Sequence, residues 1–91
     1  MGIITKKLSI KGYVQGVGFR YRVKQKALSL NLRGYVKNLP EGSVEIVVEG
    51  EENQVKELVV WCKKGEFGSN IKEGEFKNAP AQKFFFFEIR Y

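Results

Sequence analysis

Alternating apolar and polar positions open the chain. Leu8, Ile10 and Gly12 interleave with Lys7, Ser9, Lys11 and Tyr13. A period of two predicts a strand buried on one face only. A glycine turn follows. Val23, Ala27 and Leu30 then fall at helical spacing, and Arg20 to Ser29 contains neither proline nor glycine. A helix is predicted there, with Asn31 as its stop. Arg33 to Leu39 reads as a second strand and Ser43 to Glu49 as a third, with Val44, Ile46 and Val48 on one face. Pro40-Glu41-Gly42 is a turn signal that joins the two as a hairpin.

The second half repeats the logic. Gly50-Glu51-Glu52-Asn53 opens a second helix with acids in its first turn, where the helix dipole favours them. Val55, Leu58, Val59 and Cys62 form its apolar stripe, and Lys63-Lys64-Gly65 is a cationic stop with a glycine cap. Glu66 to Asn70 is loop, a fourth strand lies within Ile71 to Lys77, and Pro80 breaks the chain. Lys83 to Tyr91 is the final strand, in which Phe84 and Phe86 would face opposite to Phe85 and Phe87.

The order β-α-β-β-α-β, with one short extra strand at the C-terminus, predicts an α+β fold. It is the ferredoxin-like sandwich, with two helices on one face of an antiparallel sheet. Residues 1–91 are expected to form a single domain. The first and second strands run the same way, so their ends at Tyr13-Val14 and Asn38-Leu39 share one edge of the sheet. With the third strand between them, those ends lie about 10 Å apart. Side chains from both could reach one small ligand.

Charge narrows the ligand. Sixteen Lys and Arg against ten Asp and Glu give a net charge of +6. An anionic substrate or partner suits that balance, and so does plain solubility. The single cysteine, Cys62, permits no internal disulfide and fits a reducing compartment. The longest apolar runs, Leu58 to Cys62 and Phe84 to Phe87, are too short to span a bilayer. Met1 to Lys7 has no signal-peptide layout, so a cytoplasmic protein is expected.

The stretch Tyr13-Val14-Gln15-Gly16-Val17-Gly18-Phe19-Arg20 carries the candidate chemistry. A strand runs into two glycines spaced by one residue, and an arginine stands where a helix begins. Backbone N–H groups at such a turn can cradle an oxyanion. The familiar nucleotide loops do not fit. A P-loop needs Lys-Ser/Thr after its last glycine, and Phe19-Arg20 follows Gly18. The dinucleotide fingerprint needs a third glycine where Tyr21 stands. A cation in a first helical turn opposes the dipole, so Arg20 suits either a bound anion or a salt bridge. Local chemistry leaves both open. Lys11-Gly12-Tyr13 begins like one motif of RNA-recognition sheets, but Val14 and Gln15 break it and it sits on the wrong strand.

Missing residues narrow the reaction. The chain has no histidine, so no Ser-His or Cys-His pair can form. Glu51-Glu52 and the lone Cys62 have no metal-ligand spacing, and neither cofactor nor metal is expected. Cys62 lies on an apolar stripe and reads as a core residue. Arginine, amides and backbone N–H groups can hold a phosphoryl group and place a water. They cannot readily protonate a poor leaving group. An acyl phosphate, which expels a weakly basic carboxylate, is the natural substrate.

Two stretches carry a resemblance. Gly12-Tyr13-Val14-Gln15-Gly16-Val17-Gly18-Phe19-Arg20 and Gly34-Tyr35-Val36-Lys37-Asn38-Leu39-Pro40-Glu41-Gly42-Ser43-Val44-Glu45 closely resemble the signature segments of acylphosphatases. Length and element order match over essentially the whole chain. The resemblance implies hydrolysis of a carboxyl-phosphate bond to a carboxylate and inorganic phosphate. It implies that Gln15, Gly16, Val17, Gly18, Phe19 and Arg20 bind the phosphate, with Arg20 the essential cation. It implies that Asn38 orients the attacking water, that no metal or covalent intermediate is needed, and that a substrate phosphate oxygen takes the water's proton.

Three departures leave Arg20, Asn38 and the loop glycines untouched. Tyr35 stands where many relatives have tryptophan, Pro40-Glu41-Gly42 replaces a commoner Asp-Gly turn, and Gly65-Glu66-Phe67 lacks a proline. Tyr13, Phe19 and Tyr21 are expected to pack around the loop. A monomer is expected, with self-association through exposed Phe side chains as the alternative. No nucleic-acid or membrane partner is expected. The rival functions are a nucleic-acid-binding domain and a phosphate-binding regulatory module without turnover.

Overall fold

A computed structural model describes residues 2–12, 18–64 and 71–90. Strand β1 (Ile3–Gly12) leads to helix α1 (Phe19–Ser29) and then to strands β2 (Arg33–Asn38) and β3 (Val44–Glu51). Helix α2 (Glu52–Lys64), strand β4 (Ile71–Asn78) and strand β5 (Phe87–Arg90) complete the order. The strands form one sheet, β4-β1-β3-β2-β5. Gly65 to Asn70, read as a cap and loop, lie outside the described residues.

Strand parity decides which face is buried. Leu8 and Ile10 of β1, Val36 of β2, and Val44, Ile46 and Val48 of β3 all point one way. They join Phe19, Val23 and Ala27 of α1 and Val55, Leu58 and Cys62 of α2 in a single buried cluster. Both helices therefore cover the same face, as the apolar periodicity predicts. Burial pushes the Cys62 thiol up to about 12, so it stays a protonated core side chain. At the end of α1, Asn31 takes a left-handed conformation (φ 57°) and the Leu32 amide donates back to the Ala27 carbonyl at 2.9 Å. The turn after α1 thereby closes on its last carbonyls.

The sheet is mixed rather than wholly antiparallel, because β5 pairs with β2 in parallel while the other three pairings are antiparallel. The route of the chain explains it. β4 ends at Asn78 beside Lys6, at the end of the sheet away from Gly12. The chain then crosses from one edge to the other and runs back in the direction of β2. At the arrival point the Gly34 amide donates to the Phe86 carbonyl at 3.0 Å. Gly34 has φ 137°, and a Cβ there would collide with the Val47 carbonyl oxygen. Only glycine fits.

A buried carboxylate holds the crossing segment. Glu49 is 2% exposed, on the face away from the helices. It accepts bonds from the Thr5 hydroxyl (2.6 Å), the Gln82 amide (2.9 Å) and the Phe84 amide (3.0 Å). The Ala79 amide also donates to the Thr5 carbonyl at 3.0 Å. Burial works to raise the Glu49 pKa. The three bonds and the Arg33 charge outweigh it and hold the carboxyl below its ordinary value.

The phenylalanine run does not alternate as a strand would. β5 begins only at Phe87, which is buried in the core. Phe84 is half-buried and packs edge-on to Tyr35 at 6.0 Å, while Phe85 and Phe86 are 93% and 61% exposed. Backbone bonds to Glu49 and Gly34 fix this path, overriding strand propensity. Tyr35 itself donates its hydroxyl to Glu45 at 2.7 Å and lies under the Arg90 guanidinium at 4.0 Å. Burial and the Glu45 carboxylate push its phenol up to about 12.

Replacing Glu49 by alanine strands three donors. It is expected to lower the unfolding free energy by about 2–4 kcal/mol, measured by urea denaturation at neutral pH. The depressed pKa makes this stabilisation present above the unfolded carboxylate value of about 4.3. It is lost as pH falls through the lower folded value. The gap between wild type and Glu49→Ala should therefore shrink below that pH.

Candidate active site

One register alignment builds the site. Val44 pairs with Ile10 on one side and with Asn38 on the other. The end of β1 and the end of β2 therefore stand level, one strand apart, at the same edge. Two strand spacings separate them by about 10 Å. The sequence-predicted edge is the observed edge.

Asn38 is the last residue of β2 and has the parity of Val36, so its side chain leaves the sheet on the helix-covered face. It is half-buried, and its carboxamide oxygen is buried with no hydrogen-bond partner among the described residues. A buried acceptor left unpaired is costly and uncommon. The turn behind it is tightly made. The Leu39 amide donates to the Ser43 carbonyl at 2.8 Å and the Gly42 amide to the Leu39 carbonyl at 3.0 Å. Gly42 takes φ 105°, a conformation that favours glycine. The Ser43 hydroxyl donates to Glu41 at 2.6 Å.

Glu41 was legible only as a turn residue. The structure gives it further contacts. The Ser43 bond first, then its own amide and the Lys11 charge, hold its carboxyl below the ordinary value against a small opposing effect of burial. An acidic residue two positions before a turn serine was the available signal. Lys11 follows Ile10 on β1, so the hairpin turn and the approach to the glycine loop carry complementary charges across the edge.

The start of α1 supplies the other half. Gly18 is the N-cap, in the left-handed region at φ 76°, and no side chain caps the helix. The first turn holds no acid. The first amides of a helix lack intrahelical acceptors, and they present the positive end of the dipole. Phe19 is 1% exposed and anchors this turn in the core beside Val23. Its neighbour Arg20 is half-buried. Phe19 thus packs in the core, whereas Tyr21 is 60% exposed. Gln15, Gly16 and Val17, the rest of the expected phosphate loop, lie outside the described residues, as does Tyr13.

The helix start, with no side-chain cap and no first-turn acid, and Arg20 beside it thus belong to the same end of the sheet as the Asn38 amide oxygen. Among the described residues, no three His, Cys, Asp or Glu side chains gather to hold a metal ion. No helix among them is long and apolar enough to cross a membrane.

Known proteins share this fold. The family profile described as Acylphosphatase matches residues 6–89. An acylphosphatase of Acaryochloris marina is 44% identical over 87 residues, covering 96% of this chain and 94% of that one. The crystal structure of acylphosphatase from Bacillus subtilis is similar at TM-score 0.88 and 34% identity, over 99% of this chain and 100% of that chain. An acylphosphatase structure from Coxiella burnetii gives TM-score 0.89 at 32% identity, over 97% and 93% of the two chains.

The unpaired Asn38 oxygen makes a stability prediction. Deleting an acceptor that has no partner removes a desolvation cost. Asn38→Ala should leave the urea unfolding free energy within about 0.5 kcal/mol of wild type, or raise it. A loss above that range would mean that the amide is a structural bond and not a reserved one.

Proposed function

Because the chain belongs to the acylphosphatase family, we propose that Gln15 to Arg20 hold the phosphate of an acyl phosphate while Asn38 orients the water that attacks it. The reaction is hydrolysis of the carboxyl-phosphate bond to a carboxylate and inorganic phosphate. The observation that carries the residue roles is the buried Asn38 oxygen, without a partner among the described residues and level with the end of β1 at the edge where α1 begins.

The chemistry follows from what these groups can and cannot do. Backbone amides of the 15–20 segment and the Arg20 guanidinium neutralise the phosphate oxygens and hold phosphorus in place. The Asn38 oxygen accepts one hydrogen of a water and aims its lone pair at phosphorus. The water oxygen–phosphorus bond forms as the bond from phosphorus to the acyl oxygen breaks. The electron pair leaves on the carboxylate, which is a weak base and needs no acid to depart. A phosphate oxygen of the substrate accepts the water's proton. An amide then suffices, because Asn38 positions the water and does not deprotonate it.

The chain acts as one catalytic domain and as a monomer, in the cytoplasm. The single buried thiol of Cys62 is compatible with that compartment. Phe85 and Phe86 are the exposed surface through which copies would meet at high concentration.

Removing a preorganised donor or positioning group costs on the order of 100- to 1000-fold in rate. Arg20→Ala and Asn38→Ala should each lose turnover of benzoyl phosphate on that scale, followed by phosphate release, while both retain the circular dichroism of the folded protein. Near-normal turnover in either variant would overturn the assigned roles. Absent hydrolysis by the wild type would favour a phosphate-binding module.

A further inference from the structure

A pocket of about 420 Å³ opens beside Glu49, on the side of the sheet away from the helices. Arg33, Glu49 and Lys83 supply its charged lining, and Ile3, Phe84 and Phe85 most of its apolar lining. Its size falls in the range of small-molecule sites. It is distinct from the catalytic edge. Arg33 begins β2 and Asn38 ends it, which separates them by about 16 Å along the strand. An odd spacing along a strand also sends the two side chains to opposite faces.

The Glu49 carboxylate is already engaged by three donors, the Thr5 hydroxyl and the Gln82 and Phe84 amides. Arg33 pairs with Glu49 in the β2–β3 ladder and lends it positive charge. Even so, the Arg33 Nε is buried without a hydrogen-bond partner among the described residues. A buried donor without an acceptor is costly and uncommon. Lys83 is exposed and takes a left-handed conformation, φ 56°, which residues with side chains rarely adopt. The amides on either side of it are the two that bind Glu49. The carboxylate thus clamps the backbone that presents this lysine.

Two cations against one ionised carboxylate leave one positive charge at the pocket. That balance matches a monoanion, whereas a dianion exceeds it. Beside the cations, Phe85 is 93% exposed and Ile3 61%. Apolar surface next to a planar guanidinium fits a carboxylate carried on an apolar body.

We propose that this pocket is a non-catalytic site for a monocarboxylate with an apolar body, the carboxylate on Arg33 and Lys83 and the body against Ile3 and Phe85. The inference is independent of the hydrolytic reading, since none of these residues takes part in that mechanism.

The test is an amide NMR titration of the full chain with 3-phenylpropionate. The Gln82, Lys83, Phe84 and Phe85 amides should shift saturably, at one common dissociation constant. Acetate, which lacks the body, and 3-phenylpropanol, which lacks the charge, should each bind about tenfold or more weakly. Phenyl phosphate, a dianion at neutral pH, should also be the weaker ligand at these amides. Lys83→Gln and Arg33→Gln should each weaken 3-phenylpropionate about tenfold and leave benzoyl phosphate hydrolysis unchanged. Lys83 is exposed, so its variant reports on binding even if Arg33→Gln disturbs the fold. An unsaturable response would overturn the proposal. So would equal binding of 3-phenylpropanol or phenyl phosphate, unchanged affinity in Lys83→Gln, or shifts confined to the start of α1.

Discussion

The position of β3 between β1 and β2 is the constraint on which the site depends. Val44 pairs on both sides, with Ile10 and with Asn38. That double pairing sets the distance between the strand that leads to the glycine loop and the strand that ends in the amide. Neither half is remarkable alone. A glycine turn before a helix binds anions in many folds, and an asparagine before a turn is common. Their alignment across one central strand is what the proposed two-sided site rests on.

The rest of the structure protects that alignment. β3 is buried along nearly its whole length, from Val44 to Gly50. The helices cover one face. Val47 and Glu49 are buried on the other, and Glu49 binds the segment that crosses from β4 to β5. β5 then closes the β2 edge, with Gly34 shaped to pass the Val47 carbonyl. The carboxylate at the far end of the sheet thus helps hold β2, and with it Asn38, in register. At the site edge, Gly18 is left-handed and the buried Asn38 oxygen has no partner among the described residues.

Much of this was legible before any coordinates. The strand alternation of Leu8 and Ile10 and the helical spacing of Val23 and Ala27 reflect local burial, so they translate directly into elements. Arg20 and Asn38 could be paired because topology brings the two strand ends together and the resemblance to acylphosphatases implies a role for each. The C-terminal third was less legible. Four consecutive phenylalanines look like a strand, yet only Phe87 enters one. Its neighbours are placed by hydrogen bonds to Glu49, thirty-five residues away from Phe84. Nothing in local propensity encodes a bond over that separation. The direction of β5 and the exposure of Tyr21 escaped for the same reason, since both depend on how distant segments pack.

Separating binding from attack tests the two-sided site most directly. Inorganic phosphate, as a competitive inhibitor of benzoyl phosphate hydrolysis, reports the anion cradle without the chemical step. Arg20→Ala should weaken phosphate inhibition by about tenfold or more, the loss of one charged contact. Asn38→Ala should keep the wild-type inhibition constant while its kcat falls. Parallel loss of phosphate affinity in both variants would contradict the division of labour, because it would place Asn38 in the cradle and leave the water without its guide.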